Sequence, residues 1–205
     1  MDVKGAYLNG YLQERVYMHQ PDGYDDGTNH IYHLIKTLYG LKQAGREWNK
    51  VLDHKLKGIG FIPLKSDPCA YIRRNGNDLE IITVWVNDLL LFTTSDNLMT
   101  SLKINLNAIF NLTDIGEPNK IIRIEITRKA NSSIFISQKH YIESILKREG
   151  MLNASPVKTP LDLKTVLESN PEGEEGNQSN AFACLIGSLQ YLSTATHPDI
   201  TYAIN

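Results

Sequence analysis

Two aspartates, Asp2 and Asp88, have the residue type and the local setting of ligands for a divalent cation. Asp88 lies in the stretch TVWVNDLLLF (residues 83–92), where the polar pair Asn87-Asp88 interrupts an apolar run. Apolar runs of this length predict buried strands, and a two-residue break between them predicts a hairpin turn. Such turns usually contain glycine. This one has none, so the polar pair is a candidate for chemistry as well as for the bend.

The chemistry that such carboxylates support is phosphoryl transfer by two metal ions, which lie about 3.5–4 Å apart. Magnesium keeps several waters, so one or two protein carboxylates and the substrate phosphates suffice as ligands. Asp2 opens a strand-like segment, Asp2–Leu8, and the hairpin is predicted to join strands Ile81–Val86 and Leu89–Thr93. In one sheet the two aspartates can be neighbours that face a single cleft. On spacing alone, a structural role for an Asp at a strand end or turn is the commoner alternative.

The composition is that of an ordinary globular protein. The 205 residues are 41% hydrophobic and 21% charged, and this length suggests one large domain or two small ones. The net charge of −2 gives no overall basic footprint of a nucleic-acid binder. Basic residues nevertheless cluster between Lys36 and Lys57, and acidic residues cluster between Glu168 and Glu175. A solvated surface accounts for both clusters.

Several classes of protein are excluded by what the sequence lacks. Cys69 and Cys184 have no C-x-x-C partner, so we expect no disulfide or zinc site and a reduced intracellular setting. No secretory signal and no run of about 18 apolar residues is present, so we expect no membrane partner. The histidines form no H-E-x-x-H motif. No G-x-S-x-G, phosphate loop or G-x-G-x-x-G supports a hydrolase or a dehydrogenase.

The predicted elements mix helices with strands and hairpins, which indicates the α+β class. Apolar spacing predicts a helix from Ala44 to Ile59 and another from Ser179. Asp96 and Ser137 are predicted N-caps of two further helices. A long irregular linker is predicted at about residues 152–180. The remaining strands are predicted at residues 70–73, 79–86, 120–128 and 133–136.

Several sequence blocks together resemble the copia-type reverse transcriptase of long-terminal-repeat retrotransposons, in order along essentially the whole chain. DVKGAYLNG (residues 2–10) is similar to the family's first catalytic block, and LYGLKQA (residues 38–44) is a highly specific signature. The tetrapeptide Trp85-Val86-Asn87-Asp88 stands where the family usually has Tyr-Val-Asp-Asp. The other matching blocks are VYMHQPDGY, DPCAYI, DIGE, IEI, SQKHYI, TPL, GSLQYL and HPDITYA.

The resemblance implies a fold and a set of partners. Residues 1–128 would form a polymerase palm-like antiparallel sheet with packed helices, truncated at its N-terminus. Residues 129–205 would form a thumb-like or connection-like region, and the fingers would be missing. The implied activity is RNA-directed DNA polymerisation with two Mg²⁺ ions, an RNA or DNA template-primer and deoxynucleoside triphosphates. The integrase and ribonuclease H parts of the polyprotein would be missing partners, and the location would be a cytoplasmic particle or the nucleus.

The resemblance also assigns the catalytic site. Asp2, Asn87 and Asp88 occupy the catalytic positions, and the metal ligands would be Asp2, Asp88 and the backbone carbonyl of Val3. Tyr7 would lie under the sugar of the incoming nucleotide and exclude a 2′-hydroxyl. The alternative for Tyr7 is a core aromatic on a strand.

Further nucleotide-binding positions follow from the LYGLKQA block. The full nucleotide-binding set would consist of Val3, Tyr7, Gly40, Lys42 and Gln43. Gly40 would let a backbone approach closely, and Lys42 would contact a phosphate as a point charge. The basic helix from Lys42 to Lys57 would follow a nucleic-acid backbone.

The sequence departs from the family pattern at the hairpin itself. Asn87 replaces the catalytic Asp, and its amide has a carbonyl oxygen but no charge. Losing one carboxylate should weaken magnesium binding and slow the reaction on the order of 10² to 10⁴. Trp85 for Tyr, Arg123 for Gly and Gly45 for Pro are further departures. We therefore expect an impaired or inactive polymerase fragment. The alternatives are a non-catalytic nucleic-acid-binding remnant and an inert pseudogene product.

Overall fold

A computed structural model of the chain describes residues 1–131, 133–157 and 179–204. The chain divides into two compact units, Met1–Gly116 and Glu117–Asn205. The predicted class is confirmed, because helices are mixed with antiparallel sheets in the described residues. Most of the linker predicted at about residues 152–180 lies outside the described residues. The division at residue 128 into palm-like and thumb-like regions stays a prediction.

The first unit is built on an antiparallel sheet of six strands in the order β4-β5-β6-β7-β1-β8, beside a separate hairpin of β2 and β3. A 3₁₀ helix, Ala6–Asn9, follows the first strand. The elements of the unit are β1 (Asp2–Val3), β2 (Tyr11–His19), β3 (Ile31–Lys36), α1 (Ala44–Gly58), β4 (Ile62–Pro63), β5 (Ala70–Asn75), β6 (Asp78–Trp85), β7 (Asp88–Thr93), α2 (Asp96–Ile109) and β8 (Leu112–Thr113).

The core of this unit lies between the six-stranded sheet and the two helices. Helix α1 buries Ala44, Trp48, Leu52 and Leu56, which recur every four residues along one face, so the predicted helical spacing is confirmed. Removing apolar surface from water is the main stabilising term for such a core. The buried cluster consists of Val3, Ala6, Trp48, Leu52, Leu56, Phe61, Tyr71, Ile82, Leu89, Leu102, Leu106 and Phe110.

The hairpin turn is displaced by one residue from its predicted position. Trp85 pairs with Asp88, so the turn residues are Val86 and Asn87, not Asn87 and Asp88. Val86 has a φ of 54°, a region that β-branched residues rarely adopt. The shift leaves Asp88 as the first residue of β7, where it pairs with β1.

The strand predicted for Asp2–Leu8 is also shorter than expected. Strand β1 ends at Val3, because Gly5 adopts a left-handed conformation with a φ of 60° and starts the 3₁₀ helix. Helix α2 has a different cap from the predicted one. Ser95, and not Asp96, is the N-cap, and its side chain accepts a hydrogen bond from the Leu98 amide.

The second unit contains a three-stranded antiparallel sheet in the order β11-β10-β9. Its strands are β9 (Lys120–Ile121), β10 (Ile124–Arg128) and β11 (Ile134–Ser137). Its helices are α3 (Lys139–Arg148), α4 (Ser179–Ala195) and α5 (Thr201–Ile204), with a 3₁₀ helix at Pro198–Ile200. No helix in the described ranges has the length and apolar character needed to cross a membrane.

Two predictions for the second unit are wrong in detail. The single strand predicted at residues 120–128 is a hairpin, because Ile121 pairs with Ile124 across a turn made by Ile122 and Arg123. The two turn residues have φ values of 47° and 62°. Ser137 is not the N-cap of α3, a position that Gln138 occupies, but its hydroxyl accepts a hydrogen bond from the Lys139 amide at 3.1 Å.

Candidate functional site

Asp2 and Asp88 lie directly opposite each other on adjacent strands of the six-stranded sheet. Their Cα atoms are partners in the antiparallel pairing of β1 with β7. Side chains of such a pair stand on the same face of the sheet, with Cβ atoms about 4.5–5.5 Å apart. Both aspartates are half-buried. The predicted adjacency of the two carboxylates is therefore confirmed, and their role as metal ligands stays a prediction.

The turn beside them is fixed by hydrogen bonds with two other parts of the chain, β1 and α1. The Val3 amide donates to the Asn87 carbonyl at 2.8 Å. The side-chain amide nitrogen of Asn87, Nδ2, donates in return to the Val3 carbonyl at 3.2 Å. The indole nitrogen of Trp48, in α1, donates to the Val86 carbonyl at 2.9 Å. Residue 87 and Val3 are thus joined by a reciprocal pair of hydrogen bonds, and α1 holds the other turn residue.

Two tyrosines complete this end of the sheet. The Tyr39 hydroxyl lies 3.4 Å from Oδ1 and 3.3 Å from Nδ2 of Asn87. The Tyr39 ring packs on the Tyr7 ring, with centroids 4.8 Å apart. Tyr7 is on the 3₁₀ helix and partly packed against the core, and is not on a strand as the core-aromatic alternative supposed. The structure therefore links Tyr7 to Asn87 through Tyr39.

The other predicted nucleotide-binding residues lie in the segment between β3 and α1. Gly40 has a φ of 94°, and a Cβ placed on it would meet no heavy atom within 4 Å. Its backbone conformation, and not a close approach within the described residues, accounts for the glycine. Lys42 is exposed, and Gln43 is the half-buried N-cap of α1. Within the described ranges, neither side chain hydrogen-bonds the two aspartates.

The basic cluster of α1 is engaged partly with the protein itself. Glu47 is buried, and its carboxylate accepts hydrogen bonds from Lys50 and Arg46, each at 2.9 Å. The hydrogen bond from Lys50 and then that from Arg46 lower the pKa of Glu47 below its ordinary value. Gly10, which leaves no room for a side chain, packs beside Glu47 and Trp48.

The last turn of α1 shows the same use of lysines. Lys57 pairs with Asp53 at 2.7 Å. The Lys55 ammonium donates to the Ile109 carbonyl near the end of α2 and lies 4.6 Å from the centre of the Phe110 ring. Much of the positive charge on α1, from which a nucleic-acid surface was predicted, is thus used in contacts that stabilise α1 and the elements beside it.

Sequence reasoning missed Tyr39 and Trp48 as residues of the site. Trp48 lies in the helix predicted from Ala44 to Ile59, and Tyr39 lies in the LYGLKQA block, but neither was assigned a role at the site. A signal was present, because Tyr39 lies inside the LYGLKQA block and Trp48 lies just after it. The hydroxyl of Tyr39 and the indole N–H of Trp48 each require a hydrogen-bond partner. Here the partner is the turn of the β6–β7 hairpin, called the aspartate hairpin because Asp88 follows its turn.

A cluster of three or more His, Cys, Asp or Glu side chains able to hold a metal is not found among the described residues. The carboxylates paired at this end of the sheet are those of Asp2 and Asp88, and the Val3 carbonyl already accepts the Asn87 hydrogen bond. One or two carboxylates suffice for a single magnesium ion that keeps its waters. The same donor set falls short of what a pair of divalent ions requires.

Comparison with known proteins gives one family. Residues 1–163 match the family model described as reverse transcriptase (RNA-dependent DNA polymerase). The whole chain is 38% identical to part of the retrovirus-related Pol polyprotein from transposon TNT 1-94 of Nicotiana tabacum. It is 35% identical to part of the polyprotein from transposon RE1 of Arabidopsis thaliana. It spans 16% and 14% of the length of these two relatives.

A third relative is nearer in size. The chain is 27% identical to the putative transposon Ty5-1 protein of Saccharomyces cerevisiae, over the whole chain and 67% of that relative. No solved structure matches the chain. The family model covers well over half of the sequence, and two relatives of more than 30% identity span it completely. The chain therefore belongs to the reverse transcriptase (RNA-dependent DNA polymerase) family, in the copia-type group found in retrotransposon Pol polyproteins.

Proposed function

We propose that this reverse transcriptase domain keeps the scaffold of a polymerase site and has lost most of its catalytic power. In this proposal the sheet of the first unit is the palm, and the residues after 128 belong to a thumb-like region. The observation that supports it is the end of the sheet where Asp2 opposes Asp88 and an uncharged Asn87 occupies the turn. The aspartate pair of the site is kept, and the missing negative charge at position 87 lies at the same end of the sheet.

The roles of the residues follow from their positions. Asp2 and Asp88 would hold a single magnesium ion, and only weakly without a third carboxylate; when bound, the ion stabilises charge on a transferring phosphoryl group. The Tyr7 ring, packed on Tyr39, would bear on the sugar of an incoming deoxynucleoside triphosphate. Lys42 is exposed and would contact a phosphate as a point charge. Gly40 and Gln43 would shape the segment that supports the template and the nucleotide.

Impairment follows from the chemistry of one side chain. An amide at position 87 leaves two carboxylates at the site, and its donor hydrogen points to the Val3 carbonyl, which is itself one of the proposed metal ligands. The residues present therefore do not fit a pair of divalent ions. Restoring the carboxylate should raise the rate on the order of 10² to 10⁴.

Primer extension on a poly(A)–oligo(dT) template with Mg²⁺ or Mn²⁺ tests the proposal. We expect little incorporation by the unaltered chain and more by the Asn87→Asp variant. Asn77→Asp is a matched control, because Asn77 is the second turn residue of the β5–β6 hairpin, as Asn87 is of the β6–β7 hairpin. Robust incorporation by the unaltered chain would refute the impairment. An Asn87→Asp variant no more active than Asn77→Asp would refute the assignment to position 87.

The relatives are Pol polyproteins, of which this chain spans a small part. We therefore also propose that the domain acts beside other parts of such a polyprotein, including integrase and ribonuclease H segments. A co-purification of the chain with those segments tests this partnership. Retention of neither segment at micromolar concentration would contradict it.

The nucleic-acid-binding remnant has weaker support. Four basic side chains of α1 form ion pairs or hydrogen bonds within the protein: Arg46, Lys50, Lys55 and Lys57. Less positive charge is therefore available to contact a nucleic-acid backbone. Filter binding of a primer–template over a salt series distinguishes this alternative, because phosphate contacts give a negative slope of log affinity against log salt. A flat line would exclude it. A cooperative thermal melt would exclude the inert, poorly folded alternative.

A further inference from the structure

The side-chain half of the link between Val3 and residue 87 depends on a donor hydrogen that an amide has and a carboxylate lacks. The Val3 amide donates to the Asn87 carbonyl at 2.8 Å, and Nδ2 of Asn87 donates to the Val3 carbonyl at 3.2 Å. The reverse orientation of the amide would set Oδ1 against the Val3 carbonyl, two acceptors without a hydrogen between them. A carboxylate at this position has no hydrogen to donate either.

Tyr39 gives the Asn87 side chain a second contact. Its hydroxyl is within 3.4 Å of both polar atoms of the Asn87 side chain, and its ring is held against Tyr7. The amide thus has one contact with the chain on the Val3 side and another on the Tyr39 side. Because the amide is half-buried, losing one of these partners would leave a polar atom poorly satisfied.

We infer that the Asn87 amide takes the place of a divalent cation in this domain. This end of the sheet is therefore stable without a metal ion. A carboxylate at position 87 would face the Val3 carbonyl, with the carboxylates of Asp2 and Asp88 nearby. These oxygens repel one another unless a cation bridges them. In the unaltered chain, the N–H group of Asn87 donates to the Val3 carbonyl, so this oxygen is satisfied without a cation.

This inference rests on the proposed function for the assignment of Asp2, Val3 and Asp88 as the ligand set. It goes further, because it concerns folding and not turnover. The unaltered chain, which would bind an ion only weakly, should gain little stability from divalent cations. The Asn87→Asp variant should have a first unit whose stability depends on them, since ligand that binds only the folded state stabilises it by mass action.

Thermal melts in EDTA and in MgCl₂ or MnCl₂, with no nucleic acid present, test the inference. We expect the melting temperature of the unaltered chain to be nearly the same in all three buffers. We expect Asn87→Asp to melt several degrees lower in EDTA and to recover with either ion. Mn²⁺ titration followed by electron paramagnetic resonance should show binding at least about tenfold tighter to Asn87→Asp than to the unaltered chain.

Two control variants make the test specific. Asn77→Asp adds the same charge to the corresponding position of the other hairpin, and should show no response to the ions. The double variant Asn87→Asp with Asp88→Asn has the charge of the unaltered chain, and should lose most of the recovery. An Asn87→Asp variant that folds only with Mn²⁺ supports the inference as strongly as a shifted melt.

Three results would overturn it. The first is stabilisation of the unaltered chain by the ions to the same extent as Asn87→Asp. The second is an Asn87→Asp variant that is as stable in EDTA as the unaltered chain. The third is an Asn87→Asp variant that stays unfolded in every buffer. None of these results depends on nucleotide incorporation. The proposed loss of polymerase activity is therefore tested separately, by primer extension.

Discussion

The indole nitrogen of Trp48 donates a hydrogen bond of 2.9 Å to the carbonyl of Val86, and so ties helix α1 to the turn of the aspartate hairpin. Val86 has a φ of 54°, which is unfavourable for a β-branched residue. The helix therefore helps to hold a strained turn, and with it the position of Asp88. The apolar ring of Trp48 contributes separately, by packing edge-on against Phe110.

Replacing Trp48 with Phe should loosen this turn. The substitution removes the N–H donor and keeps most of the ring packing, so we expect a loss of about 1 kcal/mol in the free energy of unfolding. Hydrogen exchange of the turn amides should become faster. Trp85→Phe is the control, because Trp85 is 58% exposed and its substitution should change neither measurement. Equal effects of the two variants would contradict a stabilising role for the hydrogen bond from Trp48 to Val86.

Replacing Arg123 with Gly should stabilise the second unit. Arg123 has a φ of 62° in the two-residue turn between β9 and β10, where glycine is preferred. Relief of this conformation is favourable by about 1–2 kcal/mol. The lost contact of the guanidinium with the Tyr141 ring, 5.2 Å away, offsets about 0.5–1 kcal/mol. Urea unfolding should show a net gain for Arg123→Gly, and a loss for the same change at Arg128 in strand β10.

Gly10 and Gly45 should respond to alanine in opposite ways. A Cβ on Gly10 would lie 2.7 Å from the Thr37 hydroxyl and 3.1 Å from the Trp48 amide, so we expect Gly10→Ala to cost about 1–3 kcal/mol. A Cβ on Gly45, near the start of α1, would come no closer than 3.9 Å to the Tyr7 hydroxyl. There the gain in helix propensity should stabilise the protein by about 0.5–1 kcal/mol. Thermal melts of both variants measure the contrast.

Glu47 should make the first unit sensitive to acid. Hydrogen bonds from Lys50 and Arg46 lower its pKa below the ordinary 4.5. A carboxyl group whose pKa is lowered by folding contributes stability above its unfolded pKa, and that contribution is lost as the pH falls through the folded pKa. The unaltered chain should therefore exceed Glu47→Gln in urea midpoint at pH 6–7, and the difference should shrink below about pH 4.5. A difference independent of pH would contradict this origin.

The sequence could predict those features that depend on local pattern. The apolar spacing of α1 located the helix and most of its buried face, because one face of a helix must meet the core. The adjacency of Asp2 and Asp88 was also predictable, since each lies next to a strand-forming run. The family resemblance identified Arg123 as a departure from glycine, and the positive φ at that residue supplies the physical reason.

Other features depend on contacts between distant segments and could not be read from pattern. The hairpin register is shifted because Asp88 pairs with β1, which lies far away in the sequence. The turn at Ile122 and Arg123 contains neither glycine nor asparagine, so residues 120–128 resemble one continuous strand. The bond from Asn87 to Val3 depends on both the register and the rotamer of one side chain.

Strand β1 is only two residues long and lies between β7 and β8. The nitrogen of Met1, just before it, donates a hydrogen bond to the carbonyl of Leu89, 88 positions further along the chain. Pairing across such a separation requires closing a long loop, which makes it a slow step. During synthesis, β1 cannot pair with β7 or β8 until these strands have emerged from the ribosome. The end of the sheet that carries Asp2 and Asp88 would then be the last part of this unit to assemble, so an incompletely folded chain would lack the aspartate pair before it lacked its core.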